Sequence, residues 1–184
     1  HKDFHILVSG YTDDTILTVA IADWIINKSD LTKTIVTYAE KEPHAKYGRS
    51  FKKWIWSWEP KPYYSCGNGS AMRVSPVGFA FNSIDDVLKN AQKSAEVTHN
   101  HPEGIKGAQS VALAIYLARI GESKENIRSE IGKRFEYNLN RTIEDIRPSY
   151  KPDASCQGSV PESIIAFLDS DSYVDAIKKA ISLG

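Results

Sequence analysis

The sequence predicts an all-α fold, a multi-helix bundle. Three observations carry this. Apolar residues recur at helical spacing in segment after segment. Residues suited to capping (Thr12, Ser83, Ser123, Ser170) stand where those segments begin. No stretch makes a convincing strand alternation, so about nine helices and no sheet are expected.

Phe4 to Ser9 opens the chain as a short strand or as a lead into an acidic turn. From Asp13 to Asn27 the pattern is helical and apolar almost all round, with Ile16, Leu17, Val19, Ala20, Ile21, Trp24, Ile25 and Ile26. Such a helix is expected to be buried and central. Lys28-Ser29-Asp30 ends it, and a second helix runs from Leu31 to about Lys41. Three tryptophans follow at positions 54, 56 and 58, interleaved with Lys52, Lys53 and Ile55. They fit a strand edge or one helical turn. Packing aromatics, a substrate-facing wall and a base-stacking surface are all open readings of this segment.

Pro60 to Ser65 is loop by its prolines. Val74 to Phe81 is short and apolar, with a helix expected around Pro76. Ser83-Ile84-Asp85-Asp86 reads as a capping box, and Ile84, Val87, Leu88, Ala91 and Ala95 continue as a helix. Glu103 to Gly121 is a helix with many small residues, which allow close packing, and Gly121 is its expected C-cap. Ser123 opens a helix carrying Ile127, Ile131 and Phe135. Tyr137 to Ser155 is read as polar and irregular. A further helix is expected to start near Gly158, with Pro161 in its first turn. The last is capped near Ser170 or Asp171.

The 184 residues are read as a single domain, 1–184, with 41% apolar and 25% charged residues. Lysine plus arginine and aspartate plus glutamate number 23 each, so net charge is zero. That gives no electrostatic case for nucleic acid or an anionic membrane as partner. No apolar run is long enough to span a bilayer, and no signal peptide is recognised. Cys66 and Cys156 are too few for a disulfide framework. Free thiols and a cytoplasmic location are the expectation.

Chemistry concentrates in three stretches. Tyr11-Thr12-Asp13-Asp14-Thr15 sets two adjacent carboxylates between two hydroxyls at a helix start. Two readings are open. Thr12 or Asp13 caps the helix while the neighbouring acid complements its dipole. Alternatively the oxygens grip a hard divalent cation. Gly67 and Gly69 flank Asn68, giving either an ordinary turn or a nest with positive φ whose N–H groups hold phosphate. His99 and His101 alternate before Pro102. With no cysteine or third histidine nearby, a polar pocket contact is the stronger reading than a transition metal.

Four stretches together resemble the ADP-ribosylglycohydrolases: Tyr-Thr-Asp-Asp-Thr at 11–15, Gly-Asn-Gly-Ser-Ala-Met-Arg at 67–73, Thr-His-Asn-His-Pro at 98–102 and Gln-Gly-Ser-Val-Pro-Glu-Ser at 157–163. Each is weak alone; the ordered set is specific and covers nearly the whole chain. The resemblance implies an all-helical fold of the orthogonal-bundle kind. It implies hydrolysis of the N- or O-glycosidic bond joining ADP-ribose to a protein or small-molecule acceptor. It also implies magnesium or manganese as cofactor, two ions in a complete chain. Thr12, Asp13 and Asp14 then look like metal ligands, with Asp13 and Asp14 acting in catalysis through the metal. Asn68, Gly69, Ser70 and Met72 look like the loop around ribose and phosphates, and His101 and His99 like ligand contacts.

The chain departs from the family pattern at both ends. Members have a glycine- and acid-containing helix well before the first acidic motif, and a second one, Gly-Asp-x-Asp-Thr, where this chain stops at Gly184. A chain truncated at both ends, with a half-built metal site, is therefore expected. The alternative is a catalytically inactive relative that binds ADP-ribose or a nucleotide, or that serves a structural role.

Overall fold

The structure is a computed structural model and describes residues 10–183, so the segment expected at Phe4 to Ser9 lies outside the described residues. Ten α-helices and one 3-10 turn appear among them, in the order α1 (Asp13–Asn27), α2 (Leu31–Lys41), α3 (Arg49–Ile55), the 3-10 turn (Asn68–Ser70), α4 (Ser75–Ala80), α5 (Ile84–Glu96), α6 (Pro102–Arg119), α7 (Lys124–Phe135), α8 (Ile143–Ile146), α9 (Cys156–Leu168) and α10 (Tyr173–Ile181). The all-α expectation holds. The only β feature among the described residues is one isolated antiparallel bridge, Gly67 to Ser155.

Local chemistry explains most boundaries. The Ser83, Ser123 and Ser172 hydroxyls accept from the amides of Asp86, Asn126 and Asp175, each satisfying one orphan donor of a first turn. Helix α6 ends in a Schellman motif. Gly121 takes φ +89, its amide reaches Ala118 O, and the Glu122 amide reaches Leu117 O.

The centre of the molecule is α6, not α1. Helix α6 packs against α4, α5, α7, α9 and the 3-10 turn. Its small residues permit this: a methyl group on Gly107 would stand 2.4 Å from Cys156 Sγ. Helix α1 instead buries Ile16, Leu17, Ala20 and Ile21 against α2 and α4, while Val19 and Ile26 remain exposed. An all-round apolar helix was expected to be surrounded; among the described residues only one side is covered.

Two further expectations change. Helix α9 begins at Cys156 under a Ser155 cap, so Pro161 lies inside it rather than in its first turn. The irregular 137–155 stretch holds the short helix α8, with a Thr142–Asp145 capping box. Of the three tryptophans, Trp54 packs in the core on α3, whereas Trp56 and Trp58 stand in solvent.

Candidate functional site

The N-terminus of α1, the 67–70 loop and the end of α5 meet around a cleft of about 350 Å3, a volume suited to a small-molecule ligand. Asp13, Asn68, Gly69, Met72 and His99 all line it, so three separate stretches of sequence converge there. Asp14 opens instead onto an adjoining hollow of about 380 Å3. Asn68 and Met72 line both spaces and form the partition between them.

Thr12 occupies the N-cap position of α1, yet its hydroxyl caps no amide. It donates to Asp14 Oδ2 at 2.9 Å. The capping reading of this stretch is therefore overturned for Thr12: the hydroxyl joins the acid pair. Partial burial and then the Asp14 charge push the Asp13 carboxyl above its ordinary range, against the pull of the helix-start amides. Neither acid forms a salt bridge with a lysine or arginine among the described residues. Thr12, Asp13 and Asp14 thus offer three hard oxygens of the kind magnesium or manganese takes, and a bound cation would relieve the Asp13–Asp14 repulsion. No cluster of three His, Cys, Asp or Glu side chains exists among the described residues, so these three supply only part of a coordination shell.

The glycine loop differs from a phosphate nest. Gly67 is extended, with φ −63 and ψ 156, and Gly121 is the one positive-φ glycine among the described residues. The loop is pinned by two bonds to the residues around the start of α9, Asn68 N to Ala154 O and Cys156 N to Cys66 O, both 2.8 Å. Glycine is needed at 69 because of a neighbour: a methyl there would stand 2.9 Å from His99 Nε2. The Asn68 amide donates to Ser159 Oγ at 3.0 Å, which anchors the loop to α9.

The remaining candidate residues are distributed unequally. Ser70 is fully buried and its hydroxyl donates to Gly104 O at 2.7 Å, which leaves its side chain facing the core. His101 caps α6, its Nδ1 accepting from the Glu103 amide at 3.1 Å while its ring packs edge-on against Tyr64. It does not line the cleft; His99 does. Burial and then the Arg73 charge drive the His99 ring from 6.5 to about 3, so it is neutral.

Sequence reasoning passed over two cleft residues, Arg73 and Tyr63, and the buried Tyr47 next to the cleft-lining Gly48. Arg73 is fully buried, without a carboxylate partner among the described residues, and burial lowers it to about 10. Its signal was a lone cation within the apolar run from Ala71 to Val77. Tyr47 is buried with an unpartnered hydroxyl, raised to about 12 by burial and by the charges of Asp13 and Glu42. Tyr63 packs beside the His99 ring at 5.7 Å. Nothing local in the sequence marks either tyrosine.

Comparison with known proteins bears on this cleft. A family model described as ADP-ribosylglycohydrolase matches residues 2–184. Human ADP-ribosylhydrolase ARH3 is 35% identical over 132 residues, covering 61% of this chain and 36% of that protein. The Gallus gallus ARH3 is 33% identical over 147 residues, covering 69% of this chain and 40% of that protein. The ADP-ribosylarginine hydrolase Tri1 of Pseudomonas putida is 22% identical over 206 residues, covering 98% and 55%. The chain thus spans about two-fifths of the length of these ARH3 proteins. A solved structure titled ADP-ribosylglycohydrolase-related protein complex shares the fold, with a TM-score of 0.73 at 20% identity, over 95% of this chain and 65% of that one. No helix among the described residues is long and apolar enough to cross a membrane.

Proposed function

The chain belongs to the ADP-ribosylglycohydrolase family, and on that ground we propose that it hydrolyses the glycosidic bond between ADP-ribose and an acceptor group. The single observation that carries this is the acid pair Asp13 and Asp14, set on either side of Asn68 and Met72 and bonded to no lysine or arginine among the described residues. Thr12, Asp13 and Asp14 would hold a divalent cation, magnesium or manganese. A cation so held supplies orientation of sugar hydroxyls and a bound water of lowered pKa.

This chain's own residues do the rest. The Gly67–Gly69 backbone lines the cleft where the diphosphate would lie, and its position is fixed from behind by Ala154 and Ser159. His99, neutral and buried, contributes a polar contact that does not titrate near neutral pH. Met72 and Phe51 give the cleft apolar wall, which excludes water from a bond whose cleavage builds positive charge at the anomeric carbon.

Release of ADP-ribose from an ADP-ribosylated protein, followed with and without magnesium, tests the reading. Magnesium-dependent release that disappears in the Asp13→Asn, Asp14→Asn double variant is expected. Binding of ADP-ribose with no release at any magnesium concentration overturns hydrolysis and leaves a binding protein.

A further inference from the structure

Arg73 is a cation enclosed in the protein, and its partners among the described residues are all neutral. Its Nη2 donates to Ser94 O at 2.6 Å and to Thr98 Oγ1 at 2.9 Å, while Nε and Nη1 are buried without a partner. A hydroxyl that accepts from a guanidinium still has its one proton to give. Thr98 has two acceptors in reach, Ala95 O at 3.5 Å and His99 Nδ1 at 2.7 Å. The first is at the outer limit of a hydrogen bond and the second is short, so the proton goes to Nδ1. A neutral imidazole that accepts at Nδ1 carries its own proton on Nε2. That nitrogen makes no hydrogen bond to the described residues. It lies at the cleft wall, against the loop: methyl groups added at Gly69 and Gly67 would stand 2.9 Å and 3.7 Å from it.

We propose that Arg73 and Thr98 are positioning residues that hold His99 as its Nε2–H tautomer, giving the cleft a fixed neutral donor for a phosphate oxygen seated against the Gly67–Gly69 backbone. The reading of the cleft as an ADP-ribose site underlies only the identity of that ligand. The chain of donors has one direction. Arg73 has protons alone to offer, so the Thr98 proton goes to the better of its two acceptors, the ring at 2.7 Å rather than the carbonyl at 3.5 Å. A neutral donor fixed in this way binds an anion with a strength that does not vary as pH crosses the usual histidine range.

Long-range proton–nitrogen NMR of the 15N-histidine-labelled protein tests this directly. The His99 signals are assigned by their loss in His99→Asn. A single neutral pattern, Nε2 protonated and Nδ1 bare, is expected between about pH 5 and 8, where ordinary histidines titrate. Thr98→Val is expected to let the Nδ1–H form appear, and Thr98→Ser to restore the single pattern. A wild-type ring protonated at Nδ1 overturns the proposal. So does a Thr98→Val protein that keeps the wild-type pattern. The wild-type spectrum decides even where a variant fails to fold. Adding ADP-ribose separates the two readings. A shift of the Nε2–H signal supports the donor role. An unmoved spectrum with the tautomer intact overturns the ADP-ribose reading and leaves the tautomer assignment standing.

Discussion

At the cleft, the acid pair and Arg73 are treated in opposite ways. Asp13 and Asp14 sit at the start of α1, one half-buried and one exposed, with no cationic side chain bonded to either among the described residues. Arg73 is wholly buried and bonded to a carbonyl and a hydroxyl. Desolvation destabilises both kinds of charge. The acids, however, remain open to an exchangeable partner. The guanidinium is closed to one and acts on its neighbours through directed hydrogen bonds. An accessible charge of this kind is suited to binding, and an enclosed one to orienting the groups around it.

That contrast gives its largest test at the acids. Asp13→Asn is expected to lower magnesium-dependent release of ADP-ribose by more than the ~10–100-fold that losing an outer-shell partner costs a metal site. Its melting temperature without metal is expected not to fall, because the substitution removes like-charge repulsion with Asp14. A variant that loses stability in proportion to activity would show the acids to be structural.

Arg73 should respond the other way. Arg73→Met leaves Ser94 O and Thr98 Oγ1 without their donor, and an unsatisfied buried group costs about 1–3 kcal/mol. Denaturant unfolding is expected to show a net loss of that order, moderated by removal of a buried cation. A variant as stable as the parent would mean that enclosing the guanidinium costs as much as its two bonds return.

How much of this was legible in the sequence follows the range of the forces involved. Caps are local, so Ser83 and Ser123 marked α5 and α7 correctly. The Thr142–Asp145 box was equally local and marked α8, but polar surroundings hid it. Pro161 misled because its missing amide is tolerated inside a helix that starts five residues earlier, at Cys156. Gly67 and Gly69 announced themselves as special, yet the cause at 69 is tertiary: the approach of His99, which no turn rule contains. The same limit applies to α1. Its composition described apolar faces, while which face is covered depends on where α2 and α4 pack. The convergence of Asp13, Asn68 and His99 was suggested by the ordered motifs and is set by helix packing around α6.

A further expected effect is in the pH dependence of stability, where Asp13 and His99 pull in opposite directions. His99 falls from 6.5 to about 3, first through burial and then through Arg73. The unfolded chain therefore binds a proton below 6.5 that the folded chain refuses until about 3. The stability this represents is complete above 6.5 and is lost as pH falls through that window. Asp13 is raised from 3.8, so its folded carboxyl takes a proton before its unfolded one. Stability from this group is gained as pH falls through the window that begins above 3.8. The two effects are told apart by their sign, since the histidine costs stability as pH falls and the acid adds it. His99→Gln should flatten the decline of the denaturant midpoint from 6.5 downward, and Asp13→Asn should steepen the acid end of the curve. If His99→Gln leaves the slope between 6.5 and 5 unchanged, the ring is not held neutral. The fixed donor assigned to it would then lose its electrostatic basis, whatever the acids at the start of α1 do.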